Sequence, residues 1–213
     1  MANENTEANN TLSTSLAGID INNLYNVIDR ENIHGLNLAV PEHAKDIIKP
    51  WNERESTEKF SDSGVDDQMM IHVPFTENVR LRSILLKLGK IGKGEFAPRH
   101  LRIYANHNTI VDFAEADSTN PQLNISLLEG ETGVTEYPLR VAAFTSVHSV
   151  SLFFNESVGD VTTRIYYIGF KGDARSNKQA INSLLDVPMP NTGDARLIDR
   201  LTEKAAGQQT TAW

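Results

Sequence analysis

The sequence predicts a mainly β protein, an antiparallel sandwich or barrel with a few short helices at its edges. Three observations carry this. Between residues 68 and 170 there are seven short apolar runs, each the length of a strand, separated by clusters of Gly, Asn, Asp and Pro. Several of these runs alternate with the two-residue period of a pleated strand, as Val150, Leu152 and Phe154 do. No strand–helix–strand alternation appears in this region, so a parallel, doubly wound sheet is disfavoured.

Along the chain, residues 1–17 are rich in Asn, Thr, Ser and Glu and are expected to form a mobile N-terminal segment. Apolar positions at Ile21, Leu24, Tyr25 and Ile28 have the spacing of a short amphipathic helix. A second short helix is compatible with residues 41–48. After the turn-forming stretch from Ser61 to Asp67 come a strand over 68–75, a polar turn at Thr76-Glu77-Asn78 and a strand over 79–88. In this last run Val79 and Leu81 share one face, whereas Ile84, Leu86 and Leu88 share the other. A change of phase inside one strand predicts a bulge, or a strand covered on both sides. Gly89, Gly92 and Gly94 mark a turn. Further strands are expected at 101–105, 123–128, 139–145, 147–154 and 162–170. Beyond Gly172 the chain turns polar again, with short helices expected over 177–185 and from Asp194 to Lys204, then a loose tail ending at Trp213.

Composition excludes several functions. There is no cysteine, hence no disulfide framework, thiol nucleophile or thiolate metal site. The net charge of −8 disfavours general affinity for nucleic acid or membrane surfaces. The apolar runs fall short of the ~20 residues a membrane helix needs, and the polar N-terminus has no signal-like stretch, so a cytoplasmic or nuclear address is expected. The charge is also segregated. Seven basic residues lie between Val79 and Ile103 (Arg80, Arg82, Lys87, Lys90, Lys93, Arg99, Arg102) against the single acid Glu95; six acids and no Lys or Arg lie between Tyr104 and Leu139. Segments of opposite sign either pair across a sheet or face different partners.

Catalytic and metal-binding patterns are not found. The six histidines include no pair four apart on a helix. Asp62, Asp66 and Asp67 lack the spacing of a calcium loop and suit turn and capping roles. The segment from Gly89 to Gly94 resembles a phosphate loop superficially but lacks the Gly-Lys-Ser/Thr ending and leads into Phe96 and Pro98 rather than a helix. No Ser sits in a Gly-x-Ser-x-Gly elbow.

Taken together in order, several blocks resemble a known family. Ser61-Asp62, the run from Val65 to Phe75, and Val79-Arg80-Leu81-Arg82-Ser83-Ile84 come first, followed by Pro98 to Asn106, Pro121-Gln122, Pro138-Leu139 and Val150 to Phe154. The run from Ile165 to Gly172 closes the series, and Leu36-Asn37 upstream also fits. This pattern is similar to the PITH domain, the proteasome-interacting domain found at the C-terminus of a thioredoxin-like protein. The resemblance covers residues from about 20 to 190 and implies a jelly-roll sandwich similar to galactose-binding domains. It also implies association with the regulatory particle of the 26S proteasome and a cytoplasmic and nuclear location. A departure is that the thioredoxin module is absent, so no redox role carries over. The chain looks like the stand-alone branch of the family.

The reading is therefore a PITH β-sandwich over 18–190 with a C-terminal helix and tail over 191–213. It is a non-enzymatic, monomeric protein-interaction module without cofactor, metal, catalytic residue, nucleic acid or membrane. Arg80, Arg82, Arg99 and Arg102 are the candidate partner-binding residues, able to steer an acidic surface, and Trp213 is a candidate apolar anchor. The alternative is binding of a carbohydrate or small ligand through the end loops of the jelly roll.

Overall fold

A computed structural model describes residues 22–89, 96–140, 142–157 and 162–175. The chain divides into two units, Met1–Ser176 and Asn177–Trp213, and every described residue belongs to the first. The expected N-terminal segment, the glycine turn at 90–95, the helices after Gly172 and Trp213 lie outside the described residues.

Among the described residues eight strands form the body: β1 (His34–Leu36), β2 (Ser61–Asp62), β3 (Met69–Leu88), β4 (Pro98–Ala105), β5 (Leu123–Ser126), β6 (Thr135–Pro138), β7 (Val147–Ser157) and β8 (Arg164–Ala174). All pairings are antiparallel, in the order β2-β8-β3-β7-β4-β5, with β1 and β6 also joined to β3. The 20-residue β3 organises the molecule. Its first half pairs with β1 and β7, its second half with β8 and β6, and the register shifts between Pro74 and Val79 where it passes from one layer to the other. The predicted turn at Thr76-Glu77-Asn78 is thus a correction: the two expected strands are one. Those polar residues stay extended because another segment runs beside them, with Asp29 N–H donating to the Pro74 carbonyl and Ile28 bridging Phe75.

The phase change read within 79–88 is a bulge. The register slips between Leu81 and Ser83, so that Val79 and Leu81, as well as Ile84, Leu86 and Leu88, enter the same apolar core. That core also takes Ile71 and Val73 from β3, Leu101 and Ile103 from β4, Leu152 and Phe154 from β7, and Ile165, Ile168 and Phe170 from β8. On the outer face of the β4–β7–β3 layer a second, smaller cluster forms from Met70, Tyr104, Val111, Ala116 and Phe153.

Two further expectations are corrected. The amphipathic spacing near Leu24 and Ile28 does bury both residues, but the backbone there is a single 3-10 turn over Tyr25–Val27. The apolar stretch 139–145 is not a strand. Leu139 and Phe144 are buried as plugs beneath a turn, and β6 lies just before them. The short helix α1 (His43–Asp46) falls within the predicted 41–48. A second helix, α2 (Phe113–Ser118), was not foreseen; Asp112 caps it by accepting from the Glu115 N–H, and the Tyr104 hydroxyl fastens its Ala116 carbonyl to the sheet.

Candidate interaction surface

The arginines singled out by charge fall into two places. Arg80 and Arg82 lie on the second half of β3. Arg99 and Arg102 lie on β4, two strands away, and Arg102 sits in register with Phe153 and, beyond it, Met70 of the first half of β3. Three of the four meet an acid of their own chain. Arg82 reaches Asp173 at 2.7 Å, Arg99 reaches Glu129 at 2.9 Å, and Arg102 reaches Asp117 at 3.8 Å while lying over the Phe153 ring. The last two pairs join the basic segment to the acidic one, the cross-pairing that the segregated charges allowed. Arg80 is half-buried, and its Nε is buried with no hydrogen-bond partner among the described residues.

At one end of the sandwich the loop 62–68 is tied down from several sides. Asn37, at φ 54°, is the latch: its Nδ2 donates to Asp66 Oδ1 and to the Gln68 carbonyl, and its Oδ1 accepts from the Val65 N–H. Asn is among the few residues that take this left-handed backbone readily. Asp67 accepts from the Ser157 N–H, Thr163 donates to the Asp67 carbonyl, and Asp62 holds Arg164 through two 2.7 Å bonds. Arg164 in turn covers the Phe60 ring at 3.9 Å. The three aspartates therefore serve as turn and pairing groups, as their spacing suggested. The loop presents Val65, 94% exposed.

A cleft of ≈ 410 Å³ opens between the 3-10 turns at Tyr25–Val27 and Arg30–Asn32, helix α1 and the segment from Ile48 to Glu53. Lys45 and Lys59 on its walls are paired with Glu31 and Asp46. Lys49, 5% exposed, donates to the Ser56 and Lys59 carbonyls. Burial pushes its ammonium below the usual lysine range, partly offset by Glu53. Nothing in the sequence marked this site, because the groups that position Lys49 are main-chain carbonyls.

The outer face of the β4–β7–β3 layer carries a buried His72–Ser151 pair, 2.9 Å apart. The Val111 N–H approaches Ser151 Oγ at 3.4 Å, so the serine hydrogen is free to point at the imidazole. Burial, helped by the nearby His34, His107 and His148, lowers the His72 pKa to about 4. A neutral, weakly basic imidazole is a poor general base. No carboxylate bonds it among the described residues, and neither residue lines the cleft. Of the other histidines, His34 packs beside His72 with ring centroids 5.3 Å apart, His100 faces Glu156 and His107 faces Glu115. Among the described residues no group of three His, Asp or Glu side chains is placed to hold a metal ion, and no helix is long and apolar enough to cross a membrane.

Strand order and core define a mainly antiparallel jelly roll of the galactose-binding type. The solved CBM32-1 and CBM32-2 domains from Clostridium perfringens ZmpB match it with a TM-score of 0.50 at 15% identity, over 70% of this chain and 35% of that one. This likeness concerns the fold and brings no ligand with it. The family model of the PITH domain matches residues 18–187, and the chain belongs to the PITH domain family. It is similar to the human PITH domain-containing protein 1, 31% identical over 70% of this chain and 69% of that protein. It is equally similar to a PITH domain-containing protein of Drosophila melanogaster, again 31% identical over 70% of this chain and 69% of the relative.

Proposed function

We propose that this chain is a non-enzymatic protein-interaction module that associates, as a monomer, with the regulatory particle of the 26S proteasome in cytoplasm and nucleus. The observation that carries this reading is membership of the PITH family across residues 18–187, in which proteasome association is the expected role. The surface supports it. Its polar side chains brace loops against one another, as Asn37, Asp62, Asp66 and Asp67 do, and a braced loop loses little conformational entropy when a partner docks. The buried His72–Ser151 pair, with its weak base and no carboxylate bonded to it among the described residues, supports packing over hydrolysis. Pulling down the tagged chain from cell extract at moderate salt tests the partner. Enrichment of regulatory-particle subunits is expected; their absence removes the proteasome from the account.

A further inference from the structure

Among the described residues two lysines are buried, and they are treated differently. Lys87, 7% exposed, is answered by a carboxylate, Glu55 Oε2 at 2.7 Å. Lys49 is just as buried and has no carboxylate within ion-pair distance among the described residues; its two bonds go to neutral carbonyls. An ammonium has three donors, so one is left over, and Lys49 is among the residues that line the cleft. Glu53 and Asp46 favour the Lys49 charge from beyond ion-pair distance and offset its burial only in part, and a carboxylate delivered to it from outside would complete the compensation.

Arg30 lines the same cleft. Its guanidinium donates to the Tyr25 hydroxyl and lies 5.0 Å from that ring's centroid, and it too has no carboxylate partner among the described residues. The other two cations are neutralised in place by Glu31 and Asp46. Glu53 also lines the cleft and offsets part of the remaining charge. That balance suits one or two spaced carboxylates rather than a dense polyanion.

We propose that this cleft binds an acidic peptide segment of a protein partner, with Lys49 and Arg30 receiving its carboxylates. The proposal rests on the protein-interaction reading above and gives it a place and a chemistry. The cleft's ≈ 410 Å³ lies within the ~300–1,000 Å³ usual for ligand sites, enough for a few residues of extended chain. Guanidinium and ammonium supply complementary recognition, a planar fork on the exposed wall and a point charge at the buried one.

The test uses the full 213-residue chain and a fluorescein-labelled glycine–serine decapeptide carrying two spaced glutamates, with the same peptide carrying glutamines in their place as neutral control, read by fluorescence anisotropy. The acidic peptide should bind at least tenfold more tightly than the neutral one. Binding should fall at least fivefold in Arg30→Gln and in Lys49→Met, and stay unchanged in Arg99→Gln, whose charge lies on β4. Arg30 is exposed, so if Lys49→Met loses its β-sheet circular dichroism, Arg30→Gln decides alone. Equal binding of the two peptides, or binding indifferent to Arg30→Gln, overturns the proposal. The same variants in the extract pull-down separate the two readings. Capture of regulatory-particle subunits undiminished by Arg30→Gln sinks the cleft and leaves the partner. Tight acidic-peptide binding without such capture does the reverse.

Discussion

At the scale of single residues, the described part of the molecule shows what burial does to a polar group that must find partners. His72 is the clearest case. Its folded pKa of about 4 lies below the ordinary 6.5, so between those values the unfolded chain binds more protons than the folded one. The contribution is fully present above pH 6.5, is lost as pH falls through about 4, and amounts to at most about 3 kcal/mol. Urea unfolding at pH 7 and pH 4.5 should therefore show a larger drop for the native sequence than for His72→Gln; equal drops would place the acid sensitivity elsewhere. Asn37 makes a second residue-level prediction. It combines a left-handed backbone with bonds to Asp66, Gln68 and Val65. Asn37→Ala should cost about 2–4 kcal/mol in denaturant melts. Asn37→Gly keeps the backbone freedom and should recover about 1 kcal/mol of that. The same loss in both would mean that the side-chain bonds, not the backbone, set the cost. The role of Asn37 was half-visible beforehand: Leu36-Asn37 fitted the family pattern, but its partners lie some 30 residues on, where spacing says nothing.

At the scale of elements, local pattern was legible and long-range support was not. The shift of face within β3 could be read from Val79 to Leu88 because a bulge changes the parity of neighbouring apolar residues. The continuity of β3 through Thr76, Glu77 and Asn78 could not, since it depends on the segment around Ile28 lying alongside. The run 139–145 misled for a related reason: Leu139 and Phe144 are apolar because they plug a turn, not because they alternate. Where β8 crosses β3, close approach fixes one residue type. A Cβ on Gly172 would run into the Arg80 carbonyl oxygen of the neighbouring strand. Gly172→Ala should thus cost about 3 kcal/mol by forcing the two strands apart. A thermal melt unchanged from the native protein would show that the β3–β8 register is looser than described.

At the scale of the whole molecule, the sandwich isolates an apolar interior and leaves charged side chains and loops on its surface. The sequence announced the class of fold through its many short runs and its order of family blocks. It could not announce the surface. The arginines of the basic segment looked available, yet Arg82, Arg99 and Arg102 each meet an acid once the strands are placed. Lys49 and Arg30, two cations with no such partner among the described residues, lie in a stretch whose charge looked unremarkable. Association of this chain with the proteasome's regulatory particle is most directly tested by mixing the fluorescently labelled full chain with purified 26S proteasome, and separately with the 20S core, on native gels. Label is expected to migrate with the 26S particle and not with the core; label migrating with neither, or with the core alone, would rule out a partner in the regulatory particle.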